Sequence, residues 1–108
     1  MTTPKPDIET EIRFLTSEEG GGLGPYRNRV NTTQGLGLGE NLSDAMHFFP
    51  DKDQVKPGET VRSRMSFLYP QGHKGNLYES FAFTIQEGRR VIGQGCITKV
   101  LNEELKSP

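Results

Sequence analysis

Apolar and polar positions alternate through most of the chain, and that alternation, with the turns between, predicts its elements. In 7–15, DIETEIRFL, the residues Ile8, Ile12 and Phe14 share one side, with Glu9, Glu11 and Arg13 on the other. A period of two with one apolar side is the pattern of a half-buried strand. In 60–69, TVRSRMSFLY, the residues Val61, Met65 and Phe67 oppose Arg62 and Arg64, the clearest such case. In 77–85, LYESFAFTI, the residues Phe81, Phe83 and Ile85 share a side. A tight turn at Glu87-Gly88 then returns the chain as a hairpin partner over 90–100, RVIGQGCITKV.

Between these strands the chain is rich in turn formers. TSEEGGGLGP (16–25) reads as a long flexible loop, because three successive glycines stabilise neither helix nor strand. PDKDQVKPGE (50–59) is a connection in which Pro57-Gly58 suits the central positions of a type II turn, and PQGHKGN (70–76) is another loop. The middle is the least patterned. Val30, Thr32 and Thr33 favour a strand, GLGLGEN (35–41) reads as a bulged strand or a loop, and LSDAMHFF (42–49) as a strand or a short helical turn. MTTPKP (1–6) is a flexible lead-in, 7–102 the folded domain, and 103–108 a polar tail expected to fray.

About six strands and no long helix make an all-β domain, most economically a small closed antiparallel β-barrel. This explains Gly93 and Gly95 inside the last predicted strand. Glycine there marks a bulge, a corner or the close approach of another backbone, and closing a small barrel requires such places.

Composition narrows the picture. A chain of 108 residues holds one core, and 31% hydrophobic residues with 13 Gly and 7 Pro favour short strands over long helices. No run of about 18 apolar residues is present, which excludes a membrane-spanning helix, and the polar start is not a secretory signal. The single Cys96 leaves no internal disulfide and fits a reducing, cytoplasmic compartment. With 13 basic and 14 acidic side chains the net charge is −1, so nucleic-acid binding would need a local patch. Arg62 and Arg64, with Arg27 and Arg29, supply such a patch or else pair across strands with Glu9, Glu11 or Glu79.

Candidate chemistry is sparse. His47, His73 and Cys96 have no metal-ligand spacing, and Cys96, inside a strand among apolar residues, reads as a buried, inert thiol. The carboxylates of Glu18, Glu19, Asp51 and Asp53 lie in loops that fix no acid–base geometry. GLGLGEN is followed by neither Lys-Ser/Thr nor a helix, and no G-x-x-x-x-G-K-[ST] or N-K-x-D occurs. No enzyme, nucleotide, metal or cofactor is expected.

Taken in order, IETEIRFLTSEEGG, VKPGETV and FAFTIQEGRRVIGQGCITKVL resemble the C-terminal domain (domain three) of elongation factor Tu over about residues 5 to 102. That family has an alternating strand ending in an EEGG loop, a PGD turn and a RFAIREGGRTVGAGVV-like hairpin. The departures are informative: VNTTQGLGLG (30–39) replaces the family's YRPQFYF, Arg89 replaces the second glycine of its EGGR turn, and Tyr69 replaces a basic residue or His. The resemblance implies a barrel module without the GTPase. It places Glu87 and Gly88 at positions that contact the T-stem backbone of aminoacyl-tRNA, unless they simply close a hairpin. Arg89 and Arg90 add charge at that turn, and Gln34 matches within the replaced segment. Because the family's domain packs against two others, a separate copy inherits faces made for partners. Phe48 and Phe49 of HFFP (47–50) either line such a face or fill the barrel. The expectation is a non-catalytic, monomeric binding module, with a protein partner first and weak RNA contact through the tRNA T stem as the alternative. Met1 and the polar ends suggest a small protein in its own right.

Overall fold

The computed structural model of the protein describes residues 5–35 and 42–108. Among the described residues eight strands form: β1 (Ile8–Phe14), β2 (Tyr26–Arg27), β3 (Asn31–Gly35), β4 (Leu42–Phe48), β5 (Gln54–Val55), β6 (Thr60–Phe67), β7 (Ala82–Glu87) and β8 (Arg90–Val100). Six of them close an antiparallel barrel in the order β1-β6-β4-β3-β7-β8, while β2 and β5 pair separately.

The alternation read from the sequence becomes the inside and outside of this barrel. Ile8, Ile12 and Phe14 of β1 meet Val61, Met65 and Phe67 of β6, Phe83 and Ile85 of β7, and Ile92, Ile97 and Val100 of β8 in one core. Full burial of each such side chain contributes roughly 1.5–3 kcal/mol before chain entropy is counted. One end is closed by aromatic rings: Phe14 stacks on Tyr26 at 4.2 Å and meets Phe49 edge-on at 6.2 Å. The expected turn at Pro57-Gly58 forms, with the Glu59 amide donating to the Lys56 carbonyl and Gly58 at φ 90°.

Strand β8 is long and bent. Its pairing with β7 skips Ile92, and its pairing with β1 skips Thr98, so each is the extra residue of a bulge. Gly93 and Gly95 lie between the two. A Cβ on Gly95 would stand 2.8 Å from the Phe83 ring and 3.1 Å from the Glu11 carbonyl, so this glycine permits close approach of its neighbours.

Four expectations are corrected. Strand β7 begins at Ala82 instead of Leu77, because the chain turns between Tyr78 and Phe81 with Ser80 at φ 71°. The hairpin turn is centred on Gly88-Arg89, since Glu87 pairs directly with Arg90 and Gly88 has φ 59°. The segment 103–108 is docked: Leu105 is buried, the Leu77 amide donates to its carbonyl, and the Ser107 amide donates to the Leu77 carbonyl. The loop 16–25 is tied at its start, where the Glu19 carboxylate accepts from the Thr16 amide and hydroxyl and from Arg13. LSDAMHFF resolves to strand. Of GLGLGEN, residues 36–41 lie outside the described residues.

Candidate functional site

Glu87, Gly88, Arg89 and Arg90 stand together, exposed, at the tip of the β7–β8 hairpin. The tip leans on the preceding loop. Arg90 Nη1 lies 3.5 Å from the Gly21 carbonyl, and a Cβ on Gly22 would be 3.2 Å from the Glu87 carboxylate. The Tyr26 hydroxyl is buried in the same corner without a hydrogen-bond partner of normal geometry among the described residues. Burial, and then the Glu87 charge, push its pKa up. The turn is therefore part of the packing of this end of the barrel.

Gln34 is elsewhere. It is fully buried, facing the barrel interior from β3, and so presents nothing to an RNA outside. This corrects its assignment as an RNA-binding residue. Its amide nitrogen is placed to donate to the carbonyls of Ser43 (2.7 Å) and Thr32 (3.2 Å), and its oxygen accepts from Thr32 Oγ1 and His47 Nε2. His47, equally buried, has Thr32 Oγ1 2.6 Å from Nε2 and Ser63 Oγ 3.0 Å from Nδ1. Burial holds the imidazole neutral, with its pKa lowered to about 3. Sequence reasoning missed this network. The signal was available in the alternation itself, which puts Ala45, His47 and Phe49 on one side of LSDAMHFF.

Ion pairs with carboxylates hold Arg13, Lys52, Arg62 and Arg64. Glu9 lies 3.5 Å from Arg62 and 3.7 Å from Arg64, and Asp51 lies 3.0 Å from Arg62. Arg13 holds Glu19 at 2.8 Å, and that hydrogen bond keeps the carboxyl well below its usual range, at about 2. Cross-strand pairing with Glu9 is thus the arrangement adopted by Arg62 and Arg64.

The two adjacent phenylalanines part company. Phe49 is 1% exposed and belongs to the core, which removes it from the candidate partner surface, whereas Phe48 is 39% exposed. Phe48 borders a recess of about 460 Å³ on the outer face of β4 and β6, which also touches Lys5, Pro6, Arg29, Met46 and Arg64. No protein-family model matches the chain.

Among the described residues, no three His, Cys, Asp or Glu side chains come together to hold a metal ion. His73 instead meets Ser43 Oγ at 2.7 Å and packs on Phe67. Cys96 is half-buried, paired across strands with Glu11 and Ala82, so the expected full burial is not observed. Among the described residues no helix is long and apolar enough to cross a membrane.

Proposed function

We propose that this chain is a non-catalytic binding module of the elongation-factor-Tu domain-three type, taking a protein as its partner. The observation that carries the reading is Phe48, an aromatic side chain standing outward beside a recess, while its neighbour Phe49 satisfies the core. Aromatic and arginine side chains concentrate binding energy at protein interfaces. Leu68, Tyr69 and Tyr78 add exposed apolar surface. The RNA reading is weakened by the burial of Gln34 and by the carboxylates that pair with Arg62 and Arg64. It keeps the hairpin tip, where main chain and arginines can approach a phosphate backbone.

Affinity capture from host lysate, with and without ribonuclease, separates the two. A protein retained after nuclease treatment supports the protein-binding module. Capture that disappears with the RNA supports the T-stem reading.

A further inference from the structure

We propose that His73 is a proton-sensitive latch. Neutral, it holds the segment 69–76 against β4 and β6; protonated, it lets that segment swing away while the barrel stays folded. The inference stands apart from the choice between a protein and an RNA partner.

The segment has few ties of its own. It runs between two buried anchors, Phe67 at the end of β6 and Leu77, and Tyr69, Gln71, Gly72, Lys74 and Asn76 along it are exposed. The short 3-10 turn Pro70–His73 buries no residue. The amides of Gly72, Lys74 and Asn76 donate within the segment, to the carbonyls of Tyr69, Gln71 and His73, and the Gly75 amide donates to the Glu104 carbonyl at 3.0 Å. Among the described residues, the side-chain hydrogen bond from this segment to the barrel is that of His73, whose Nε2 lies 2.7 Å from Ser43 Oγ of β4. Its ring also packs on Phe67, with centroids 4.5 Å apart. One imidazole therefore ties the segment to two strands.

Protonation works against this closure. An imidazolium held against Phe67 lacks solvation that it regains when the segment opens. Burial accordingly lowers the His73 pKa, while the charge of Asp7 pulls it upward to a lesser extent. The Asp7 oxygens are already engaged, by the Phe67 amide and the Asn102 side chain. Around the ring, β4 and β6 present the uncharged Ser43 and Phe67, and the flanking Asp44, Lys74, Glu103 and Glu104 are exposed. A base whose pKa is lower in the closed state than in the open one supports closure fully above its ordinary 6.5, and that support is lost as the pH falls through the lowered value. His47 is silent in this window. Its pKa is lowered to about 3, and its partners Thr32 and Ser63 are on barrel strands.

The test is amide hydrogen exchange of the full chain followed by NMR at about pH 7.5 and about pH 5, on either side of the ordinary histidine value, with rates corrected for intrinsic pH dependence. Expected at the lower pH is a severalfold loss of protection at Lys74, Gly75 and Asn76. The amides of His47 and Ile97, which donate to Val30 and Phe81 away from the segment, should keep theirs. The ring Cε1 proton of His73 should titrate with a midpoint below that of the urea-unfolded chain. His73→Phe keeps a ring on Phe67 without a titrating group and should abolish the pH response, whereas His73→Ala should release the segment at both pH values. Equal protection of the segment at the two pH values would overturn the inference, as would a response that persists in His73→Phe. So would a midpoint at or above that of the unfolded chain, a parallel loss at His47 and Ile97, or a segment in His73→Ala as protected as in wild type.

Discussion

The carboxylate of Asp7 accepts a hydrogen bond from the side-chain amide of Asn102 at 2.9 Å, joining residues 95 positions apart. Its second oxygen accepts from the Phe67 amide at 2.8 Å, and its carbonyl accepts from the amides of Leu101 and Asn102. One buried residue thereby ties the start of β1 to the ends of β6 and β8. Asp7→Ala leaves the Phe67 amide and the Asn102 side chain short of partners, which costs about 1–3 kcal/mol. At roughly 4–8 °C per kcal/mol for a domain of this size, thermal unfolding should fall by about 10 °C. Asp7→Asn, which keeps an acceptor, should lose less.

Gly95→Val should lower the melting temperature by several degrees. Its Cβ would crowd the Phe83 ring at 2.8 Å and the Glu11 carbonyl and Ile12 side chain at 3.1 Å. Overpacking of this kind costs on the order of 1–3 kcal/mol. The adjacent Gln94→Val, at an exposed position, is the control and should change little. Equal melting temperatures for the two variants would mean that the strand yields freely at Gly95.

Stability should fall in acid, in part through His47. Its folded-state pKa of about 3 is below the ordinary 6.5, so between these values the unfolded chain binds a proton that the folded chain refuses. The contribution is complete above about pH 6.5 and is lost as the pH drops toward 3, at up to about 1.4 kcal/mol per unit. Thr32, Gln34 and Ser63, the polar groups around the ring, carry no charge that could hold the imidazolium. The exposed carboxyls of Glu19 and Glu59, lowered by hydrogen bonds from Arg13 and Lys52 respectively, act in the same direction at lower pH. Denaturant unfolding of wild type and His47→Gln at pH 7, 6, 5 and 4 isolates the histidine: the slope of wild type over this range should exceed that of the variant.

Binding of tRNA should be weaker than roughly 10 μM at physiological salt, in the range of non-specific association. Arg89→Ala and Arg90→Ala should reduce what binding there is, and Glu87→Ala should matter little. Charged and uncharged tRNA should bind alike. Filter binding at several salt concentrations measures all three, and submicromolar affinity that collapses in Glu87→Ala would make the hairpin a true T-stem site.

The half of the barrel built from β1, β6 and β8 was legible in the sequence because its inward positions are mostly apolar. Ile8, Ile12, Phe14, Val61, Met65, Phe67, Ile92 and Ile97 all fall inside. The other half was not. Strand β3 turns Thr32 and Gln34 inward, and β4 turns Ala45 and His47 inward, so hydropathy alone gives no alternation there. Leu77 and Leu105 join the core through contacts between distant segments, which no local pattern announces. At the site, strand faces offered Arg62 and Arg64 a basic patch or pairing with Glu9, Glu11 or Glu79. Glu9 is the partner taken, and Asp51 on Arg62 comes from a loop that the alternation does not place. The separation of Phe48 from Phe49 required first knowing that 42–48 is a strand.

Strand β3 has five residues, Asn31 to Gly35, and no large apolar side chain among them. Burial of hydrocarbon therefore cannot choose its alignment, as it does for β1. A slip of two residues against β4 would keep the same faces inward but carry Thr32 and Gln34 away from His47 Nε2. Each buried polar group left unpaired would then cost about 1–3 kcal/mol. Hydrogen bonds are directional where hydrophobic contact is not, so the imidazole acts as a key that admits one register and rejects its neighbours.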